Sequence, residues 1–257
     1  MALNATYKAT EKLLLNAGFT YNHAEDSWDW DFGDRPQLSW AGGAKPNYDN
    51  TDGYTNGSPI TFASQLEGDL LLVHHGYFWR NEPGPLVGMK GRRVRGLMAA
   101  DISLLAYHLP LDAHPEVGNN RQLGIRLGLD GGEPVDGLIW GQDLASPLTA
   151  AELAARVESC LRRAPLMVGP RDLPLHRVAW CTGSAQGMLQ RAAAAGFDAF
   201  ISGEISEPTV HEARELGVLY LAAGHHATER YGVQALGERL ARELDIRHCF
   251  IDRDNPV

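Results

Sequence analysis

Cysteine is scarce in this 257-residue chain: Cys160, Cys181 and Cys249 are widely spaced, odd in number and form no C-x-x-C pair. That excludes a disulfide framework and a cysteine-built zinc site. Positive charge is in deficit as well, with 23 Lys and Arg against 32 Asp and Glu, a formal net charge of −9 and a sequence pI near 5.5. Binding along a duplex needs concentrated Lys and Arg, so duplex nucleic acid is not an expected partner. The most basic run, "MKGRRVRG" at residues 89–96, reads as the exposed face of a helix. Long apolar runs are missing: none approaches the roughly 20 residues of a membrane span. The opening "MALNATYKATEKLLL" lacks the charge-then-apolar order of a secretory signal. The expectation is a soluble, cytoplasmic protein with no membrane partner. Its length suffices for one large α/β domain or two modest lobes with a real core.

What is present, from about residue 69 onward, is an alternation of short apolar runs with helix-period segments. "DLLLVHH", "ISLLAYH", "HRVAWCTG", "DAFISGE", "VLYLAAGHH" and "HCFID" read as buried strands. "VRGLMAAD", "SAQGMLQRAAAAG", "SEPTVHEARELG" and "ATERYGVQALGERLARELD" fit helices. Thr149 and Glu152 form a capping box opening "TAAELAARVESCLRR", and Gly196 and Gly217 sit where helix-ending glycines belong. This order predicts an α/β fold with parallel-rich sheets flanked by helices. Residues 134–171 are less regular and read as a segment linking or decorating two lobes, of about residues 69–133 and 172–257. The first 68 residues differ. "TYKATEKLLLNAGF" reads as one amphipathic helix, and residues 24–59 are dense in Asp, Asn, Gly and Trp with hardly an aliphatic run. Such a composition predicts irregular loops rather than buried strands, and its aspartates lack the spacing of a calcium loop.

Three segments place metal-competent side chains directly after an expected strand: His74 and His75; His108, Asp112 and His114; and His225, His226 and Glu229. In open parallel α/β sheets, ligands bind beyond the carboxyl ends of strands, so separate loops can converge on one cleft. Imidazole with carboxylate suits Zn, Mn, Fe or Ni, whereas an all-oxygen set would suggest Mg or Ca. If a helix opens at "HHATE", His225 and Glu229 share a face one turn apart. In a turn, His74 and His75 can reach one cavity, one imidazole per metal, leaving Asp112 and Glu229 to bridge or cap. Four or five ligands with two carboxylates is a small set for one metal with an open position, or a reasonable set for two sharing a water.

His226 and His114 are candidates to orient ligands through their ring N–H groups. His176, His211 and His248 stand alone and receive no role. "CTGSAQG", residues 181–187, follows a strand and opens a helix; it reads as a tight turn or as an anion-holding loop, without a Walker or G-x-G-x-x-G pattern. Glu204 in "SGEISE" faces the same cleft as a general base or as an acceptor behind a ligand, or merely favours the start of the next helix.

The motifs "VHHGYFW", "YHLPLDAHPEVGNN", "AWCTG", "DAFISGEISE" and "AAGHHATERYGVQAL" resemble, in order, those of the YbgI-type dinuclear metal-binding family, the GTP cyclohydrolase 1 type 2 homologues. The resemblance covers residues 69–257. It implies five metal ligands, His74, His75, Asp112, His225 and Glu229, with the carboxylates serving two divalent transition metal ions. It further implies a pair of related α/β lobes, a ring-like homohexamer with metal sites facing an interior cavity, and a cytoplasmic location. The first 68 residues lack the short helix, "NGLQVEG"-like segment, strand and helix that the family carries there, so the resemblance does not extend to the first lobe's outer strand, on which the hexamer is expected to depend.

Three functions are expected from these readings. The leading one is a two-metal hydrolase acting on a nucleotide-like small molecule, in the family's form by opening the purine imidazole ring of GTP with loss of formate. The second is a metal-binding regulatory or metal-handling protein without catalysis. The third is a phosphodiesterase working at the same metals.

Overall fold

A computed structural model describes the backbone of residues 5–7 and 13–15, and residues 70–79, 85–253 and 255–257. The chain forms two compact units, one of Met1–Leu72 and Gly76–Leu105, the other of Val73–His75 and Ala106–Val257. No described helix is long and apolar enough to cross a membrane.

In the first unit, strands β1 (Ala5–Tyr7) and β2 (Leu13–Leu15) pair antiparallel. The opening stretch expected to be helical is therefore extended at both places, at β1 in keeping with the preference of Thr and Tyr for strands. The loops expected at residues 24–59 lie outside the described residues. Strands β3 (Leu70–Val73) and β4 (Ser103–Ala106) make a separate two-stranded sheet, with helix α1 (Gly88–Ala99) between them in sequence. Leu97 and Ile102 are buried against Leu71, Tyr77 and Leu104. In the basic run, Arg92 and Arg95 are exposed while Val94 and Leu97 face inward, as a half-buried helix requires.

The second unit carries α2 (Leu109–Ala113), α3 (Asn119–Arg126), β5 (Glu133–Asp136), β6 (Ile139–Leu148), α4 (Ala150–Leu161), β7 (Leu166–Val168) and β8 (Leu175–Cys181). After these come α5 (Leu189–Ala194), β9 (Ala199–Ser202), α6 (Glu207–Leu216), β10 (Leu219–Ala222), α7 (His225–Glu229) and α8 (Tyr231–Leu244). One six-stranded sheet runs in the order β5-β6-β8-β9-β10-β7. The parallel pairing expected from strand–helix alternation holds for β8, β9 and β10. The flanking pairs β5–β6, β6–β8 and β7–β10 are antiparallel, so the sheet is mixed. Residues 134–171 supply β6, β7 and α4, all built into this sheet or its cover.

Side chains alternate across a pleated sheet, and both faces here are buried. Val178, Trp180, Ala199, Ile201, Leu219 and Leu221 pack toward Leu123 of α3 and Leu153 and Val157 of α4. Ala179, Cys181, Phe200, Tyr220 and Ala222 pack toward Leu189 of α5 and Ala213 of α6. Two-sided burial explains why β8–β10 are near-continuous apolar runs. The capping box of Thr149 and Glu152 opens α4, an arrangement that stabilises a helix start by about 1 kcal/mol. The terminal "HCFID" is not a strand. Its Cys249 is exposed, and the segment is tied by side chains instead, with Arg230 Nη1 2.6 Å from Asp252 Oδ2.

Candidate metal centre

Three parallel strands end together, and the loops after them build one wall of a cluster. Thr182 and Gly183 follow β8, Gly203 and Glu204 follow β9, and His225 opens α7 after β10. His74 and His75 follow β3, while α2, just beyond β4, carries Asp112 after His108. All of these residues belong to the second unit.

Glu229 is the hub. One set of donors, His75, His225 and Glu229, has its ligand atoms within 4.8 Å of one another, and so has a second set, His74, Asp112 and Glu229. Glu229 Oε2 lies 2.9 Å from His225 Nε2, 3.2 Å from His75 Nε2 and 3.5 Å from His74 Nε2. His74 Nε2 is 3.3 Å from Asp112 Oδ1. Donors spaced about 2.0–2.1 Å around one tetrahedral cation stand about 3.3 Å apart, so these separations fit ligand edges. A second observation agrees. His225 Nε2 and Glu229 Oε2 are buried without a hydrogen-bond partner, although they stand so close together. Buried polar atoms are almost always partnered; two orphans side by side suit lone pairs meant for a cation. The donor set thus fits divalent transition metal.

The imidazoles are held from behind. His74 Nδ1 donates to the Tyr107 carbonyl at 2.7 Å, which leaves Nε2 facing Asp112 and Glu229. His225 Nδ1 donates to Glu204 Oε1 at 2.6 Å, leaving Nε2 facing Glu229. This is the arrangement that fixes ring orientation and tautomer in histidine metal ligands. Glu204 is itself held by Ser184 Oγ at 3.1 Å and Gln186 Nε2 at 3.5 Å. His225 and Glu229 share a face of α7, as their four-residue spacing predicts.

Without a cation the cluster polarises its own protons. Burial pushes Glu229 up, but the His225 and His75 imidazoles and the charge on His74 outweigh it and bring the carboxyl down to about 2. His225 is raised to about 9, chiefly by Glu229 against the opposing effect of burial, with Glu204 adding to the rise. Burial lowers His74, yet Asp112 and Glu229 bring the net shift upward. Burial and the neighbouring His74 lower His108.

His108, one of the metal-competent side chains the sequence places after a strand but outside the five ligands implied by the resemblance, has a nitrogen within 4.8 Å of donors on both His74 and His75. Asn119 and Asn120 carry no role in the sequence reading. Both are completely buried; Asn119 Nδ2 donates to Asp112 Oδ1 at 2.8 Å, and Asn120 Oδ1 accepts from Thr182 N at 2.9 Å. The signal that could have found them is two adjacent amides beside a glycine at a helix start.

The other sequence candidates lie elsewhere. His114 Nδ1 accepts from the backbone N–H groups of Glu116 and Val117, closing its own turn. His226 Nε2 lies 3.7 Å from Asp252. The "CTGSAQG" stretch fits the tight-turn reading, with three of its amides turned to the protein's own acceptors: Thr182 N to Asn120 Oδ1, Gly183 N to Thr228 Oγ1 and Ala185 N to Ser202 Oγ.

The chain is similar to known proteins over most of its length. The family model Duf34/NIF3 (NGG1p interacting factor 3) matches residues 56–256, and so begins ahead of the motif-bearing region. A protein of Allochromatium vinosum named GTP cyclohydrolase 1 type 2 homolog is 51% identical over 219 residues, covering 84% of this chain and 86% of its own. One of the same name from Pseudomonas aeruginosa is 54% identical over 201 residues, covering 76% and 79%. Among solved structures, one described as protein ybgI, of unknown function, superposes with a TM-score of 0.72 at 46% identity, covering 77% of this chain and 81% of that one. A protein from Thermus thermophilus gives 0.70 at 34% identity, covering 77% and 80%.

Proposed function

The chain belongs to the Duf34/NIF3 family, and from that footing we propose that it is a hydrolase with a two-ion centre acting on a nucleotide-like small molecule. The observation that carries this reading is the sharing of Glu229 between two donor triads. One ion would be held by His75, His225 and Glu229, the other by His74, Asp112 and Glu229, with His108 alongside. When bound, such ions supply Lewis acidity and bring the ionisation of water near neutral pH.

The chain's own residues set the geometry. Tyr107 and Glu204 hold His74 and His225 in the tautomer that presents Nε2. Glu204 works through His225 as a positioning carboxylate, since its Oε1 is already committed to that ring. The relatives' name points to GTP as substrate; one water would then add to the imidazole carbon of the base and open the ring to a formamide, and a second would hydrolyse that formamide to release formate and leave the amine. A cytoplasmic homohexamer belongs to the same reading, and mass photometry of the purified protein tests it.

The experiment is elemental analysis of protein purified without added metal, then a screen of nucleoside triphosphates and phosphodiesters with separate assays for formate and phosphate. Two ions per chain, and turnover abolished by Asp112→Ala or Glu229→Ala, are expected. Phosphate without formate would make the chemistry that of a phosphodiesterase. Bound metal with silence across the screen would favour a metal-handling role. Only trace metal after refolding with Zn, Mn and Fe would overturn the reading altogether.

A further inference from the structure

The geometry points to Asn119 as a positioning residue for one ion alone: its carboxamide aims the Asp112 carboxylate and ties it to the first turn of α8. This rests on the two-ion reading above. Asp112 sits on α2, a helix of five residues, and so short a helix has little stability of its own. Something outside it must fix the carboxylate, and Asn119 does so from complete burial. Its Nδ2 donates to Asp112 Oδ1 at 2.8 Å, and its Oδ1 accepts from Gly232 N at 2.8 Å.

The two bonds determine the amide's orientation. Flipped, the amide would set its NH2 against the Gly232 N–H and its oxygen against a carboxylate, losing both bonds. Gly232 N–H belongs to the first turn of α8, where helix amides lack partners within the helix. The carboxamide therefore joins an otherwise unpaired amide to a ligand. Being neutral, it orients Asp112 without cancelling the negative charge that draws a cation. Asn120 secures the backbone of the same turn, with Nδ2 donating to the Asp112 carbonyl at 3.3 Å.

Position 232 is part of the device. A β-carbon there would stand 2.5 Å from Asn119 Oδ1, so any larger residue pushes the carboxamide toward Asp112. Among the described residues, Asn119 and Gly232 make no side-chain hydrogen bond to His75, His225 or Glu229, and Asn119 Nδ2 faces only Asp112 and His74 of the donors, so the effect on the two ions is unequal. A merely structural residue would weaken both ions together.

The test is cobalt(II) titration of metal-free wild type, Asn119→Ala and Gly232→Ala, followed by calorimetry and by the visible absorption of each ion, with thermal unfolding to verify that each is folded. The wild type takes up two ions. In each variant one ion keeps its affinity and spectrum, while the other binds about 10–100-fold more weakly, as expected when a ligand loses the group that orients it. Should Asn119→Ala not fold, Gly232→Ala reads the same quantity from the far side of the carboxamide. Wild-type affinity and spectrum for both ions in folded variants overturns the inference, as does equal loss of both. A wild type that binds fewer than two ions removes the two-ion reading itself, and is distinguished by needing no variant to see it.

Discussion

Gly183 and Glu229 approach so closely that a β-carbon on the glycine would stand 1.8 Å from Glu229 Oε1. The turn after β8 is thus shaped around the hub carboxylate, and Gly183 adopts φ +68°, which side chains resist.

Gly183→Ala should therefore cost binding at both ions, because both triads use Glu229. The left-handed backbone adds about 1–2 kcal/mol of destabilisation on its own account. Elemental analysis separates the two effects from each other when paired with thermal unfolding of the metal-free protein. Full retention of two ions by a folded variant would contradict the packing described.

Glu204→Gln and Glu204→Ala should act on the opposite ion from Asn119. Losing the carboxylate behind His225 Nδ1 weakens the ion held by His75, His225 and Glu229 about 10–100-fold, and leaves the ion on His74 and Asp112 in place. Calorimetric titration of each variant reads this directly, and crossing Glu204→Ala with Asn119→Ala should lose both ions additively.

The metal-free protein should be most stable between about pH 4.5 and 6.5. His225 rises from 6.5 to about 9 on folding, so its contribution is complete below pH 6.5 and disappears as pH climbs toward 9. Glu229 falls from 4.5 to about 2, so its contribution is complete above pH 4.5 and disappears as pH drops toward 2. A cation bound there would replace the proton on His225, hence the rise in melting temperature on adding metal should grow from pH 6.5 upward. A metal-free melting temperature that keeps climbing from pH 6.5 to 9 would refute the assignment.

Thiol labelling should be selective. Burial, with Asp112 and Glu229 adding, pushes the Cys181 thiol up to about 12, whereas Cys249 is exposed. The thiolate is the reactive form. Iodoacetamide at pH 8 should mark Cys249 on the folded protein and reach Cys181 only after unfolding, as peptide mass mapping would record.

The strands of the sheet's centre were legible because burial on both faces makes β9, β10 and the second half of β8 near-continuous apolar runs. The longest strand, β6, was not legible. Ile139 and Trp140 are buried, but Asp143, Ser146 and Pro147 follow on its partly exposed length, so neither an apolar run nor strict alternation marks it. "HCFID" failed the other way, with strand-like residues but no place in the sheet. At the centre, the His-His pairs and the His225–Glu229 spacing advertise themselves through residue type and period. The assignments to His114 and His226 did not carry over, since a histidine after a strand serves equally well in closing a turn. Asn119 and Asn120 escaped because an amide declares no chemistry until its two bonds are seen.

The cluster's donors come from three stretches separated by most of the chain, at residues 74–75, 108–112 and 225–229. A ribosome releases the paired histidines long before it has made their shared carboxylate. On the two-ion reading, loading would therefore wait for a finished fold, and which ion is taken would be decided by the pool the completed protein meets, not by the one surrounding its nascent half.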